Sequence, residues 1–146
     1  MGAEDQYGMI PFTDEHTMLR EMVRKYAEEK LAPRAARLDA EHIFPAEAVA
    51  ELAALDLLGI YIPEEYGGAG MDFVSYVIVI EELARVCGST SITLAAHTSL
   101  CMAPIMYLGT EEQKQQFLPP LASGEHLGCF GPVSYTHLTL PTNREV

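Results

Sequence analysis

Along most of the chain, apolar residues recur at the three- and four-residue spacing of a helix rather than the alternation of a strand. Met18, Leu19, Met22, Val23, Tyr26 and Ala27 form the first such stripe. Thr13 stands before it as an N-cap, with Asp14 and Glu15 in the first turn, where the helix dipole favours carboxylates. Pro33 is expected to disturb or end this helix, because proline lacks the N–H and clashes with the preceding turn. Pro45 suits the first position of a second helix, through Val49, Leu52, Ala53 and Leu55 to a stop at Gly59. The segment Ile60–Asp72, with one proline and three glycines, reads as a loop. Phe73–Ile80 is β-branched enough for a buried strand. Its continuation into Glu81-Glu82-Leu83-Ala84-Arg85, where Glu81 and Arg85 make an i,i+4 pair, favours helix. A last helix begins at the capping box Thr110-Glu111-Glu112-Gln113 and is expected to end before Pro119.

One stretch departs from this amphipathic pattern. Val86 to Thr110 contains no Asp, Glu, Lys or Arg in twenty-five residues. Its hydroxyls (Ser89, Thr90, Ser91, Thr93, Thr98, Ser99), with His97 and Pro104, argue against a lipid-facing span, and no basic flank accompanies it. A helix buried on nearly every side is the remaining reading. The short helices around it can barely enclose it, so a further domain or subunit is expected to pack there.

Composition adds little beyond globular character, but charge narrows the partners. The net charge is −12, and residues 38–146 hold only Arg85, Lys114 and Arg144 against fourteen acids. Nucleic acid and anionic membrane surfaces require clustered Lys and Arg, so neither is expected. Cys87, Cys101 and Cys129 are an odd number without C-x-x-C spacing, which indicates neither a disulfide scaffold nor a zinc knuckle. A reducing compartment is the default. The lead-in, residues 1–9, has no basic and apolar signal-peptide regions, and Gln6 breaks a myristoylation pattern.

Catalytic signatures such as a nucleophile elbow, H-E-x-x-H or a phosphate-binding loop do not occur. Gly68-Ala69-Gly70 starts a G-x-G-x-x-G, but Phe73 occupies its last position, which leaves a turn. His97 and Cys101 at i,i+4 supply two ligands where a metal site needs more, so both are expected in the core, with no metal. The adjacent pairs Glu64-Glu65 and Glu81-Glu82 diverge rather than converge on a substrate and are expected on solvated faces. Thr98 and Ser99 either face a pocket or bond back to the preceding turn.

Four longer blocks carry a resemblance. They are LAPRAARLDAEHIFP (Leu31–Pro45), LLGIYIPEEYGGAGMD (Leu57–Asp72), EELARV (Glu81–Val86) and GTEEQKQQFLPPLASGEHLGCFG (Gly109–Gly131). In this order and spacing the chain resembles the N-terminal part of an acyl-CoA dehydrogenase, in wording nearest to short-chain members. The resemblance implies an all-α N-terminal domain over residues 10–127, with residues 128–131 starting a central β-domain. It also implies a C-terminal helical bundle carrying the catalytic glutamate, beyond this chain, so no catalytic residue is nominated. The family oxidises an acyl-CoA thioester to the trans-2-enoyl-CoA. A carboxylate removes the alpha proton, a hydride passes to FAD, and electrons go on to an electron-transfer flavoprotein, commonly from a homotetramer. By the same resemblance, Leu94, Ala96, Ser99, Leu100 and Ala103 are candidates for the wall of the acyl site, and Phe130 for a flavin neighbour. A bacterial cytoplasm is the first expectation, with the mitochondrial matrix if the source is eukaryotic. A non-catalytic helical module that binds acyl-CoA or docks onto a full-length relative is the alternative.

After Gly131 the resemblance stops. The Glu-Pro and Gly-Ser-Asp segments expected next are replaced by residues 132–146, and Val133–Thr142, VSYTHLTLPT, resembles a translated sequencing adapter. The tail is therefore expected to be non-native, and the chain a truncated, inactive fragment.

Overall fold

The computed structural model describes residues 11–131. The readings for the lead-in, residues 1–9, and for the tail, residues 132–146, fall outside the described residues. Seven α-helices are joined by short connections: α1 Asp14–Tyr26, α2 Ala32–Ala40, α3 Ala46–Ala54, α4 Phe73–Ala84, α5 Gly88–Ala95, α6 Ala103–Leu108 and α7 Glu111–Ala122. Among the described residues there is no strand, so the fold is all-α.

Pro33, expected to disturb or end the first helix, is instead accommodated, and so is Pro104. α1 runs through a π-helical stretch, Ala27–Leu31, into α2, which carries Pro33 in its first turn. α5 likewise continues through a π-helical stretch, Ala96–Met102, into α6, which begins Ala103-Pro104. Widening the turn before each proline relieves the clash between its ring and the preceding carbonyl, so the helix axis continues. The last helix does not end before Pro119 either: α7 contains Pro119 and Pro120 and reaches Ala122. Leu118, Leu121 and Ala122 are buried there, and that packing compensates for the hydrogen bonds the prolines cannot make. Pro45 is the residue before α3, not its first, and α3 ends at Ala54, well short of Gly59.

Phe73–Ala84 is helical, capped by Asp72, whose carboxylate accepts from the Ser75 N–H at 2.8 Å. The loop before it is compact. Gly68 has no room for a side chain, since a Cβ would lie 2.1 Å from the Ile62 carbonyl oxygen. Gly67 and Gly70 take positive φ, 81° and 64°.

The core has two parts. Leu19, Val23, Leu31, Leu52, Leu58, Ile60, Val79, Leu83 and Leu94 belong to the larger, and Ile62, Tyr66, Met102, Leu118, Leu121 and Ala122 to the smaller. The continuous helix Gly88–Leu108 joins them, giving Leu94 to one and Met102 to the other.

That helix is long and apolar enough to cross a membrane by length and composition, yet only 28% of its most apolar window is buried. The expectation of burial on nearly every side is therefore corrected. One side, with Ser91, Leu94, His97, Thr98 and Met102, is sealed, and the other is open. A second correction concerns Glu81 and Glu82. Glu82 is fully buried rather than solvated, and it accepts two hydrogen bonds from Arg24, at 2.8 and 3.0 Å, and one from Arg85 at 2.8 Å. Arg85 thus pairs with Glu82 instead of Glu81, which meets Arg20 at 3.1 Å. The cause is tertiary: α1 lays its arginines across α4. Glu64 and Glu65 are exposed on a short 3-10 turn.

Candidate functional site

The open side of the uncharged helix is the candidate site. Ile92, Leu100 and Tyr107 are exposed, and Ala96, Ser99 and Ala103 lie half-buried between them. The three- and four-residue steps among them follow from the helix itself. Of the residues singled out from the sequence, Ala96, Ser99, Leu100 and Ala103 come together here. Leu94 does not; it is 1% exposed and lies within the larger core. Ile92 and Tyr107 were not among the candidates, although they stand four residues before Ala96 and four after Ala103.

Polar groups on this helix are bonded either to its own carbonyls or to neighbouring segments. Ser99 Oγ donates to the Ala95 carbonyl at 2.7 Å, so it bonds back to the preceding turn. Thr98 does neither of the two things expected of it. Its hydroxyl donates to the Leu58 carbonyl at 2.8 Å, while its own carbonyl accepts from Tyr61 at 3.2 Å. These cross-links bind the π-helical stretch to the loop below it. Burial pushes the Tyr61 hydroxyl up to about 12, with smaller contributions from Tyr76 and Tyr107, so it stays a donor.

His97 and Cys101 anchor the chain that leaves α7. His97 is fully buried; its Nε2–H donates to the Leu121 carbonyl at 3.1 Å, and Nδ1 accepts from the Gly128 N–H at 2.9 Å. Burial holds this imidazole below its ordinary pKa, partly offset by the Leu121 carbonyl. Gly128 lies directly on Cys101. The core reading of His97 therefore stands, with a specific task added. Among the described residues no cluster of three or more His, Cys, Asp or Glu could hold a metal.

Phe130 is 52% exposed, in residues 128–131, which carry no regular secondary structure. A separate open cavity of about 420 Å³ is lined by Thr13, His16, Gly70, Asp72 and Ser75, away from the uncharged helix. There His16 Nε2 donates to Asp72 at 3.0 Å, joining the N-termini of α1 and α4.

The comparisons with known proteins give this site a setting. The family described as "Acyl-CoA dehydrogenase, N-terminal domain" matches residues 13–125. The short-chain-specific acyl-CoA dehydrogenase of Clostridium acetobutylicum is 49% identical over 119 residues, 82% of this chain and 31% of that protein. Butyryl-CoA dehydrogenase from Megasphaera elsdenii superposes with a TM-score of 0.80 at 38% identity, covering 89% of this chain and 35% of that one. An acyl-CoA dehydrogenase from Bacillus anthracis, complexed with FAD, gives a TM-score of 0.74 at 37% identity, over 80% of this chain and 20% of that one. Similar short-chain proteins occur in bacteria and in mitochondria. The chain belongs to the acyl-CoA dehydrogenase family. It spans about a third of the length of its curated relatives.

Phe130 offers one exposed ring, Arg20, Arg24 and Arg85 pair with the glutamates of α4, Arg34 pairs with Glu47 and Glu51, and Arg37 is exposed on α2.

Proposed function

We propose that this chain is the N-terminal part of a flavin-dependent acyl-CoA dehydrogenase, where it supplies one wall of the acyl site and does not catalyse alone. The observation that carries this reading is the open side of the uncharged helix. Ala96 and Ala103 leave space there between the larger Ile92, Leu100 and Tyr107. Ser99, the hydroxyl among them, is already hydrogen-bonded to its own helix, so an alkyl chain can cover this side without stranding a polar group. Leu94 would back the wall from the core, and Phe130 would stand near the flavin once the rest of the polypeptide supplies a cradle.

The whole protein would convert an acyl-CoA thioester to its trans-2-enoyl product and pass electrons to an electron-transfer flavoprotein, as a homotetramer. The carboxylates here suit scaffolding rather than proton abstraction. Burial would raise Glu82, but Arg24 and Arg85 hold it below the ordinary carboxylate range; Arg34 and Tyr26 do the same for Glu51. A general base needs its pKa moved the other way, toward neutrality. A bacterial cytoplasm or mitochondrial matrix suits such an enzyme.

The test is purification of the 146-residue chain with added FAD, followed by addition of butyryl-CoA. The expected protein is colourless and helical and produces no enoyl-CoA. A yellow protein whose flavin absorbance is bleached by butyryl-CoA would overturn the claim of inactivity.

A further inference from the structure

We propose that Cys101 and Cys129 are a thiol pair that closes into a disulfide under mild oxidation, stapling the segment after α7 to the middle of the uncharged helix. The proposal is independent of the acyl-site reading.

The geometry rests on Gly128. A Cβ placed there would lie 2.4 Å from Cys101 Sγ and 2.8 Å from Cys101 Cβ, so the backbone of this segment is pressed against the Cys101 side chain. Only glycine allows that approach. Cys129 is the next residue, one Cα step of about 3.8 Å along the chain, and a disulfide tolerates Cα atoms about 4.4–6.8 Å apart. The placement is also held rather than incidental. The Gly128 N–H is bonded to His97, which is itself bonded to Leu121, so the segment is fixed to the helix one turn before Cys101. Cys129 is exposed and Cys101 half-buried, both in free thiol form. Burial first, then the neighbouring Cys129 thiol, pushes the Cys101 thiol up, partly offset by the Cys129 backbone.

The chemistry requires an oxidant, here a small disulfide such as oxidised glutathione. The exposed Cys129 thiolate attacks one glutathione sulfur, forming a mixed disulfide and releasing one glutathione thiolate. Cys101 then loses its proton to water and attacks Cys129 Sγ. The bond to glutathione breaks, the Cys101–Cys129 bond forms, and a second glutathione thiolate leaves. Two electrons pass from the protein thiols to glutathione disulfide. Cys87, buried and hydrogen-bonded to Ser89 and Thr90, takes no part.

Incubation of the chain with oxidised glutathione, acid quenching and intact-mass measurement test the proposal. The expected product is a monomer lighter by two hydrogens, in at least about tenfold excess over the singly glutathionylated chain. Trypsin, cutting after Arg85 and Lys114, should leave the Cys101 and Cys129 peptides linked until reduction. Cys87→Ala should retain the link, and Cys101→Ser and Cys129→Ser should each abolish it with helical circular dichroism unchanged. Should either serine variant fail to fold, the wild type decides: after oxidation, iodoacetamide under denaturing conditions should label Cys87 alone. Glutathione adducts without the internal link, disulfide-linked dimers only, or a link through Cys87 would overturn the proposal.

Discussion

α4 and the uncharged helix invert what their sequences suggest. α4 carries Glu81 and Glu82, yet it is sealed against α1, with Glu82 buried beneath Arg24 and Arg85. The helix Gly88–Leu108 carries no charge at all, yet one of its sides is open. A buried carboxylate is tolerable once partners neutralise it, whereas an apolar side remains exposed when nothing adjacent covers it. Charge content therefore reports which partners a helix has, and the uncharged helix lacks one within the described residues.

The largest effect that would test this contrast lies on the sealed side of the uncharged helix. Leu94→Ala should cost about 3 kcal/mol of stability, measured by urea unfolding, because it opens a cavity in the core. A loss close to that of an exposed position would mean the sealed side is not packed as described. On α4, Glu82→Gln should cost about 2 kcal/mol, since the amide cannot balance Arg24 and Arg85, which are themselves half-exposed and able to turn to water. An unchanged urea midpoint would remove the ion cluster from any account of why α4 is sealed.

The open side is probed by activity instead. With residues 13–125 grafted into a full-length short-chain relative, Ala96→Leu should lower kcat/KM for the longest accepted acyl-CoA about tenfold more than for the shortest, with flavin content unchanged. Equal losses across chain lengths would place Ala96 away from the acyl tail.

The junction at His97 adds a pH signature. Its folded-state pKa lies below the ordinary 6.5, so between the two values the unfolded chain binds more protons than the folded one. This contribution to stability is complete above about pH 6.5 and is lost as the pH falls, with a slope of at most about 1.4 kcal/mol per pH unit. Urea midpoints across this range should show the slope in the wild type and a flatter profile in His97→Gln. Parallel profiles would assign the slope to other groups. The smallest effect belongs to Leu100→Ser, which should change the stability of this chain by no more than about 0.5 kcal/mol.

Much of the fold was legible in the sequence because it depends on local chemistry. Thr13 and Thr110 cap their helices as their spacing implies, and the three-to-four-residue stripe of α1 is buried at Leu19, Val23 and Tyr26. The family resemblance, carried by blocks such as IYIPEEYGGAGMD, agrees with the match over residues 13–125. Four of the five acyl-wall candidates come together on the open side because helical spacing alone groups them. Leu94 lies apart from them in the larger core, because the sequence does not reveal which side of a uniformly apolar helix faces its own core.

The sequence by itself determined the family, the helical class and the capped helix starts, since each rests on residues near one another along the chain. Tertiary structure decided the rest: that π-helical turns carry the chain past Pro33 and Pro104, that α7 continues through Pro119, and that Glu82 is enclosed by Arg24 from fifty-eight residues away. It also brought Gly128 onto Cys101 and His97, a contact no spacing rule contains. Such outcomes depend on which surfaces meet, and surfaces meet only once the helices have packed.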